Sequence, residues 1–228
     1  IGTKYEIPKN KIPMLVFVMC MSHRGGFENR RAIRQSWKRN ILNAAFFVGE
    51  RACEIPHQAR STRWSCIPKR EATITEMQAY QKELQNEKMR LQEENDSNRD
   101  MVMLDMKDFY RALPKKLKLA YEWSIRNTQA QWFLKLDDDS AVRVGGLESL
   151  LSRIDTTRMY VIGKIRRRVA VPKSGKWSDP EYSFSTYPTF ANGAEGHVVS
   201  RKVAEKVYLH NGIEYQGEDV SLGIWISE

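Results

Sequence analysis

Trp132-Phe-Leu-Lys-Leu-Asp-Asp-Asp-Ser-Ala-Val142 reads as a buried strand that delivers three consecutive carboxylates, Asp137, Asp138 and Asp139, at its C-terminal end. A stretch this continuously apolar belongs inside a sheet covered on both faces, where strands do not alternate between polar and apolar residues. In open α/β sheets, ligands collect outside the carboxyl ends of the strands. Three adjacent Asp repel one another beside apolar surface, and a cation or hydrogen-bond donors must neutralise them. A hard divalent ion, Mn²⁺ or Mg²⁺, held by one or two carboxylates plus diphosphate oxygens meets that need. The competing reading is a solvated acidic turn.

Working outward, residues 14–20 form a second compact apolar run, a first strand with Leu15, Val16, Phe17 and Val18 together. Residues 27–37 place Arg30, Ile33, Arg34 and Trp37 on one helical face. Residues 44–48 read as a strand closed by Gly49, and residues 51–70 as an irregular insertion without periodicity. Residues 73–95 carry the longest helical signal, free of Gly and Pro. Met77, Leu84 and Leu91 recur every seven residues with polar partners between them, which predicts a surface helix laying one stripe on the core rather than a coiled coil. A third strand over 101–104 ends at Asp105, and a helix over 113–126 tolerates Pro114 in its first turn. Beyond the acidic strand come a short helix (145–154), a strand (160–165), extended loops (171–191), a short strand (197–199) and a helix (202–209). The alternation predicts an α/β fold, a mostly parallel sheet with helices on both faces. At 228 residues and 41% hydrophobic composition, one domain spans 1–228, with an insertion at about 51–98.

A second acidic pair, Glu218-Asp219, precedes the apolar Leu222, Ile224, Trp225 and Ile226. Acidic residues at a helix start are ordinary capping chemistry. Glycosyl transfer with inversion, however, requires one carboxylate to deprotonate the attacking hydroxyl while a metal and cations absorb charge on the departing diphosphate. Two separated acidic sites match those two tasks. Candidate cations are Arg30, Arg31, Arg34, Lys135, Lys164 and Arg166 to Arg168, since Arg forms bidentate contacts to phosphate. The aromatic residues Trp177, Tyr182, Phe184, Tyr187 and Phe190 supply either a sugar-stacking wall or a hydrophobic cover for the sheet.

The net charge of +9 suits a phosphate-bearing substrate, an anionic membrane surface or nucleic acid. No nucleic-acid reading module accompanies it, and no phosphate loop or Ser/His or Cys/His catalytic pattern is present. Cys20, Cys53 and Cys66 lack metal-ligand spacing. Cys20 reads as a buried thiol, whereas Cys53 and Cys66 flank a polar, basic stretch and either close a small loop or stay free. Asn95-Asp96-Ser97 is an N-glycosylation sequon. The longest apolar run, residues 14–21, falls well short of the roughly 20 residues a bilayer demands, so membrane attachment is expected only through an anchor absent from this chain.

Taken in order, these segments resemble the β-1,3-glycosyltransferase family that contains galactosyltransferases, N-acetylglucosaminyltransferases and Fringe. Arg30-Arg-Ala-Ile-Arg-Gln-Ser-Trp37 is similar to its RxxIRxTW segment, Leu104-Asp-Met-Lys-Asp-Phe-Tyr-Arg-Ala-Leu113 to DxxDxYxNL, and Lys135-Leu-Asp-Asp-Asp139 to KxDDD. Lys176-Trp177, Tyr187-Pro188, Gly193 to Ser200 and Glu218-Asp219-Val220 resemble its later elements. The segment from Tyr215 to Trp225 and the Pro114 element look nearest to the N-acetylgalactosaminyl-transferring branch, with plant galactosyltransferases next. The resemblance implies a GT-A-like Rossmann-type fold, Mn²⁺ (or Mg²⁺), a UDP-sugar donor, a glycan or glycoprotein acceptor, inversion, and a type II membrane parent in the Golgi or endoplasmic reticulum lumen. It makes Asp219 the catalytic base and Asp139 the metal ligand. Asp137 and Asp138 would hold the ribose and metal surroundings, Arg30, Arg34 and Lys135 the nucleotide side, and Trp177, Tyr187, Gly193 and Glu218 the substrate. A turnover-deficient glycan- or nucleotide-binding relative is the alternative. Two departures bear on the site. The motif from Asn192 to Ser200 has one residue more than the family spacing and His197 in place of Tyr, which touches the donor-sugar pocket. The family's metal-binding histidine falls downstream of the EDV element, whereas this chain stops nine residues after Asp219, so either its C-terminus has been cut away or metal binding is incomplete; the chain is expected to be truncated at both ends.

Overall fold

The computed structural model describes residues 2, 3, 5, 15–41 and 43–228. Among them, four apolar segments form parallel strands: β1 (Val16–Met21), β2 (Ala44–Ala52), β3 (Met101–Asp108) and β4 (Trp132–Asp137). Met14, expected to begin the first strand, lies outside the described residues. Two further strands, β5 (Val161–Gly163) and β8 (His197–Ser200), complete a sheet of order β3-β2-β1-β4-β8-β5. β8 runs antiparallel to both of its neighbours. A separate ribbon pairs β6 (Ile165–Arg166) with β7 (Phe190–Ala191). The expected strand over 160–165 is therefore two strands, because the chain leaves the large sheet at Lys164.

Alternate residues along the buried strands face two different layers. Phe17, Met19, Phe47, Val102 and Phe133 pack against α3 (Leu113–Asn127), α5 (Arg201–Leu209) and α6 (Glu218–Ser227) through Leu117, Tyr121, Val203 and Trp225. On the opposite face, Val16, Val18, Trp132 and Leu134 meet Val144 and Leu151 of α4 (Val144–Leu151). Next to them, Cys20, Phe46 and Met103 meet Ile33 of α1 (Phe27–Gln35) and Leu91 of α2 (Ile74–Asn98). The result is the expected mixed α/β, GT-A-like architecture, with strand ends β1 and β4 opening on the same side.

Gly49 does not close β2, which continues to Ala52. A side chain at Gly49 would meet Asp108 Cβ at 2.7 Å. Its absence lets β3 run past Asp105 to Asp108, whose carboxylate accepts the Gly49 N–H at 3.2 Å. α2 starts with a capping box in which Thr73 and Glu76 satisfy each other's backbone N–H groups. Of the expected stripe, Leu91 is fully buried in the core while Met77 and Leu84 are half-buried, and Tyr80 is buried as well. The sequon is not displayed: Asn95 is fully buried in α2 and donates to the Gly2 carbonyl at 2.8 Å. Cys53 and Cys66 form a disulfide that closes the start of the insertion, and Cys20 is a free buried thiol. Among the described residues no helix is long and apolar enough to cross a membrane.

Candidate active site

A cleft of about 660 Å³ opens at the carboxyl ends of β1, β3 and β4. Asp137, Asp138 and Asp139 line one side, and Gly193, Glu218 and Asp219 line another. The two acidic elements, about 80 residues apart in sequence, thus share one cavity.

Lys135 joins them. The ammonium is completely buried and reaches Asp137 at 2.8 Å, Glu218 at 2.7 Å and the Gly193 carbonyl at 3.2 Å. Those contacts use the three donors a lysine owns, so Lys135 is not an outward-facing nucleotide ligand. It is a clamp behind the cleft. Burial by itself would raise the Glu218 carboxyl, but the Lys135 charge and hydrogen bond bring it below the ordinary range. Asp137 behaves oppositely: burial lifts it and Lys135 only partly opposes the rise.

Asp219 occupies the first turn of α6. One carboxylate oxygen accepts the Gly193 N–H at 3.0 Å and the other the Val220 N–H at 2.8 Å. Burial, then repulsion from Glu218, nevertheless raises its proton affinity above the usual carboxylate value, which favours a group meant to take a proton. Gly193 is needed for close approach, since a Cβ there would meet Glu218 Oε1 at 2.5 Å. The 192–200 segment turns back on itself through a hydrogen bond from the Gly196 N–H to the Gly193 carbonyl at 3.0 Å. His197 points away from the cleft, fully buried opposite Lys135 on β8 and 3.5 Å from the Tyr121 hydroxyl. Desolvation first, then the Lys135 charge, push its pKa down to about 3, so it is neutral.

Asp138 accepts from the Ser22 hydroxyl at 2.6 Å and from Asn29 at 3.1 Å, while the neighbouring Asp139 is exposed on the cleft. Hard carboxylate oxygens at Asp137 and Asp139 are donors of the type a Mg²⁺ or Mn²⁺ ion takes in ones and twos. Among the described residues no group of three or more His, Cys, Asp and Glu is arranged to hold a metal on its own.

Other candidates are placed elsewhere. Arg30 is fully buried beneath the cleft, bound to Glu94 at 2.6 Å, to the Ser22 hydroxyl and to backbone carbonyls. Arg34 pairs with Glu94 and Asp100, away from the cavity. Neither lines the site. Their shared face on α1 was legible, but the long helix α2 brings carboxylates that consume both guanidiniums. Arg31 and Lys164 pair with Glu28 and Glu195, and Arg166 to Arg168 lie outside the cleft lining. The aromatic segment divides. Tyr182, Tyr187 and Phe190 pack on Val220 and Ile224, with the Tyr187 hydroxyl donating to Asp179 at 3.0 Å, so Tyr187 covers the fold instead of lining the cavity. Trp177 is 62% exposed and lines the cleft. Several cleft residues escaped the sequence reading, among them Ser22, Arg60, Arg63, Asp108 and Lys116. Lys116 is buried against Asp108 at 2.5 Å and the Ser22 carbonyl at 2.8 Å. Asp108 sits inside the DxxDxYxNL-like segment, the signal that could have flagged it.

Residues 67–228, more than half of the chain, match the family model for galactosyltransferase. The chain belongs to the galactosyltransferase family. A zebrafish (Danio rerio) UDP-GalNAc:beta-1,3-N-acetylgalactosaminyltransferase 2 is 38% identical over 150 residues, covering 64% of this chain and 30% of the relative. The human protein of the same name is 36% identical over 150 residues, covering 63% and 29%. A hydroxyproline O-galactosyltransferase of Arabidopsis thaliana is 25% identical over 231 residues, covering 95% and 29%. This galactosyltransferase-family chain therefore spans about 30% of the length of the curated relatives it matches.

Proposed function

We propose that this chain is the catalytic domain of an inverting, metal-dependent glycosyltransferase that moves a sugar from a UDP-sugar to a hydroxyl of a glycan or glycoprotein, forming a β-1,3 linkage. One observation carries the reading: the strand-end triplet Asp137 to Asp139 and the buried Asp219 face the same cleft, tied together by Lys135. In this reading Asp219, with its proton affinity raised, accepts the proton of the acceptor hydroxyl as that oxygen attacks the anomeric carbon. Gly193 and Val220 hold the Asp219 carboxylate still through their N–H groups. Lys135 holds the Glu218 carboxyl below the ordinary range, while burial and the neighbouring Glu218 raise that of Asp219. Asp139 and Asp137 would hold the divalent ion, which supplies Lewis-acid stabilisation of the leaving diphosphate. Trp177 offers an exposed aromatic face for a sugar ring.

N-acetylgalactosamine is the donor sugar favoured by the names of the vertebrate relatives, with galactose second on those of the plant proteins. The Cys53–Cys66 disulfide supports residence in an oxidising compartment, as the lumen of the Golgi or endoplasmic reticulum is. The test is transfer from UDP-GalNAc and UDP-galactose by the full chain carrying Asp219→Asn, with UDP binding measured in Mn²⁺. Transfer should fall by about 10²–10⁴-fold, the usual contribution of a general base, with UDP affinity retained. Asp139→Ala should instead weaken the Mn²⁺-dependent part of UDP binding. Undiminished turnover by Asp219→Asn would remove the base assignment.

A further inference from the structure

With Arg30, Arg34 and Lys135 consumed by protein acceptors, the cleft needs another source of positive charge, and its lining contains one. Arg60 and Lys116 are buried and engaged, Arg60 with the Ile55 carbonyl and the Tyr80 hydroxyl, Lys116 with Asp108. Arg63 and Lys176 line the same cavity as the acidic triplet. Neither makes an ion pair among the described residues. Both are held instead on aromatic faces: the Arg63 guanidinium lies 4.9 Å from the Trp64 ring centre, and Lys176 Nζ 4.1 Å from that of Tyr110.

The turn that carries Arg63 is braced by several contacts. Arg63 sits in a turn closed by the Ser65 N–H to the Thr62 carbonyl at 3.2 Å, with the Ser61 and Ser65 hydroxyls 2.8 Å apart. The disulfide ties that loop at Cys66, Arg60 ties it to α2, and the Trp64 carbonyl accepts the Arg111 N–H at 3.1 Å, next to Tyr110. Two cations are thus anchored around residues 110–111, in a cleft that six carboxylates also line: Asp108, Asp137, Asp138, Asp139, Glu218 and Asp219. Cation–π contact positions a charge without neutralising it, and an Arg so held keeps its planar fork for an oxyanion.

The geometry points to Arg63 and Lys176 as an oxyanion site that grips a phosphate-type or carboxylate group of a substrate, which makes the disulfide-clipped insertion a wall of the active site. This rests on the glycosyltransferase reading, and the group belongs either to the donor's diphosphate or to an acidic acceptor. Titration calorimetry on the full chain, in Mn²⁺ at about 0.15 M salt to screen non-specific attraction, compares wild type with Arg63→Gln/Lys176→Gln. Probes are uridine, UDP and inorganic pyrophosphate, then a glucuronate-bearing disaccharide and its glucose counterpart in saturating UDP. Loss of about tenfold or more in UDP and pyrophosphate affinity with uridine unchanged assigns the donor diphosphate. Unchanged UDP binding with a similar loss confined to the glucuronate disaccharide assigns the acceptor. An unaltered melting temperature establishes that the double variant is folded, and Arg63→Lys, which keeps charge but not the fork, should fall between. Equal binding of every probe to both proteins overturns the oxyanion site and leaves the glycosyltransferase reading standing where wild type binds UDP. Absence of UDP binding by wild type overturns both.

Discussion

Lys135 carries more of the site than any other single residue. Removing one partner of a buried ion pair leaves the others uncompensated at a cost of about 3–5 kcal/mol, and Lys135 is completely buried with two carboxylates attached. Lys135→Met should therefore lose stability on that scale in urea unfolding; a change below about 1 kcal/mol would mean that the clamp does not hold the site together. His197 makes a pH prediction. Its folded pKa lies at about 3 against about 6.5 unfolded, so the unfolded chain binds the proton first as pH falls. The stability owed to its neutrality is complete above about pH 6.5 and is lost progressively toward pH 3. Relative to His197→Phe, wild type should lose about 1.4 kcal/mol per pH unit between pH 6 and 4. Parallel stability curves for the two proteins would contradict that.

Among the elements, α2 decides what α1 can do. Its capping box fixes the start of the helix, its Leu91 docks under the sheet, and its Glu94 takes the guanidiniums of Arg30 and Arg34. Thr73→Ala should cost about 1 kcal/mol, the usual worth of such a cap, read as a lowered urea midpoint with an unchanged slope. A fully retained midpoint would show that tertiary packing alone sets the helix start. The strands were easier to read than this helix. β1 and β4 are apolar along nearly their whole length because both faces are covered, whereas Gly49 looked like a terminator and serves as the place where Asp108 closes in.

For the molecule as a whole, the Cys53–Cys66 bridge draws the start of the insertion back to the end of β2. A loop of 13 residues in sequence separation confines the unfolded chain by about 3 kcal/mol. Cys53→Ser/Cys66→Ser should reduce stability by that order in denaturant unfolding and weaken the same oxyanion probes as the Arg63 variant. Loss of stability with every probe bound normally would make the disulfide a staple and nothing more. The net charge of +9 is mostly spread over exposed and internally paired side chains, so the bulk excess of Lys and Arg says little about the cleft.

Local pattern determined the layers and the acidic strand end: continuous apolar runs compel buried strands, and the positions of Asp137 to Asp139 and Glu218-Asp219 follow from the chain order alone. The order of motifs also carried the family. Which charges meet was beyond that reading, because the decisive pairs are far apart in sequence and only folding brings them together: Arg30 and Glu94 are 64 positions apart, Lys135 and Glu218 83. A cation's availability is set by the nearest carboxylate in space, and that is why Arg30, Arg34 and Lys135 turned inward while Arg63 and Lys176 were left facing the cleft.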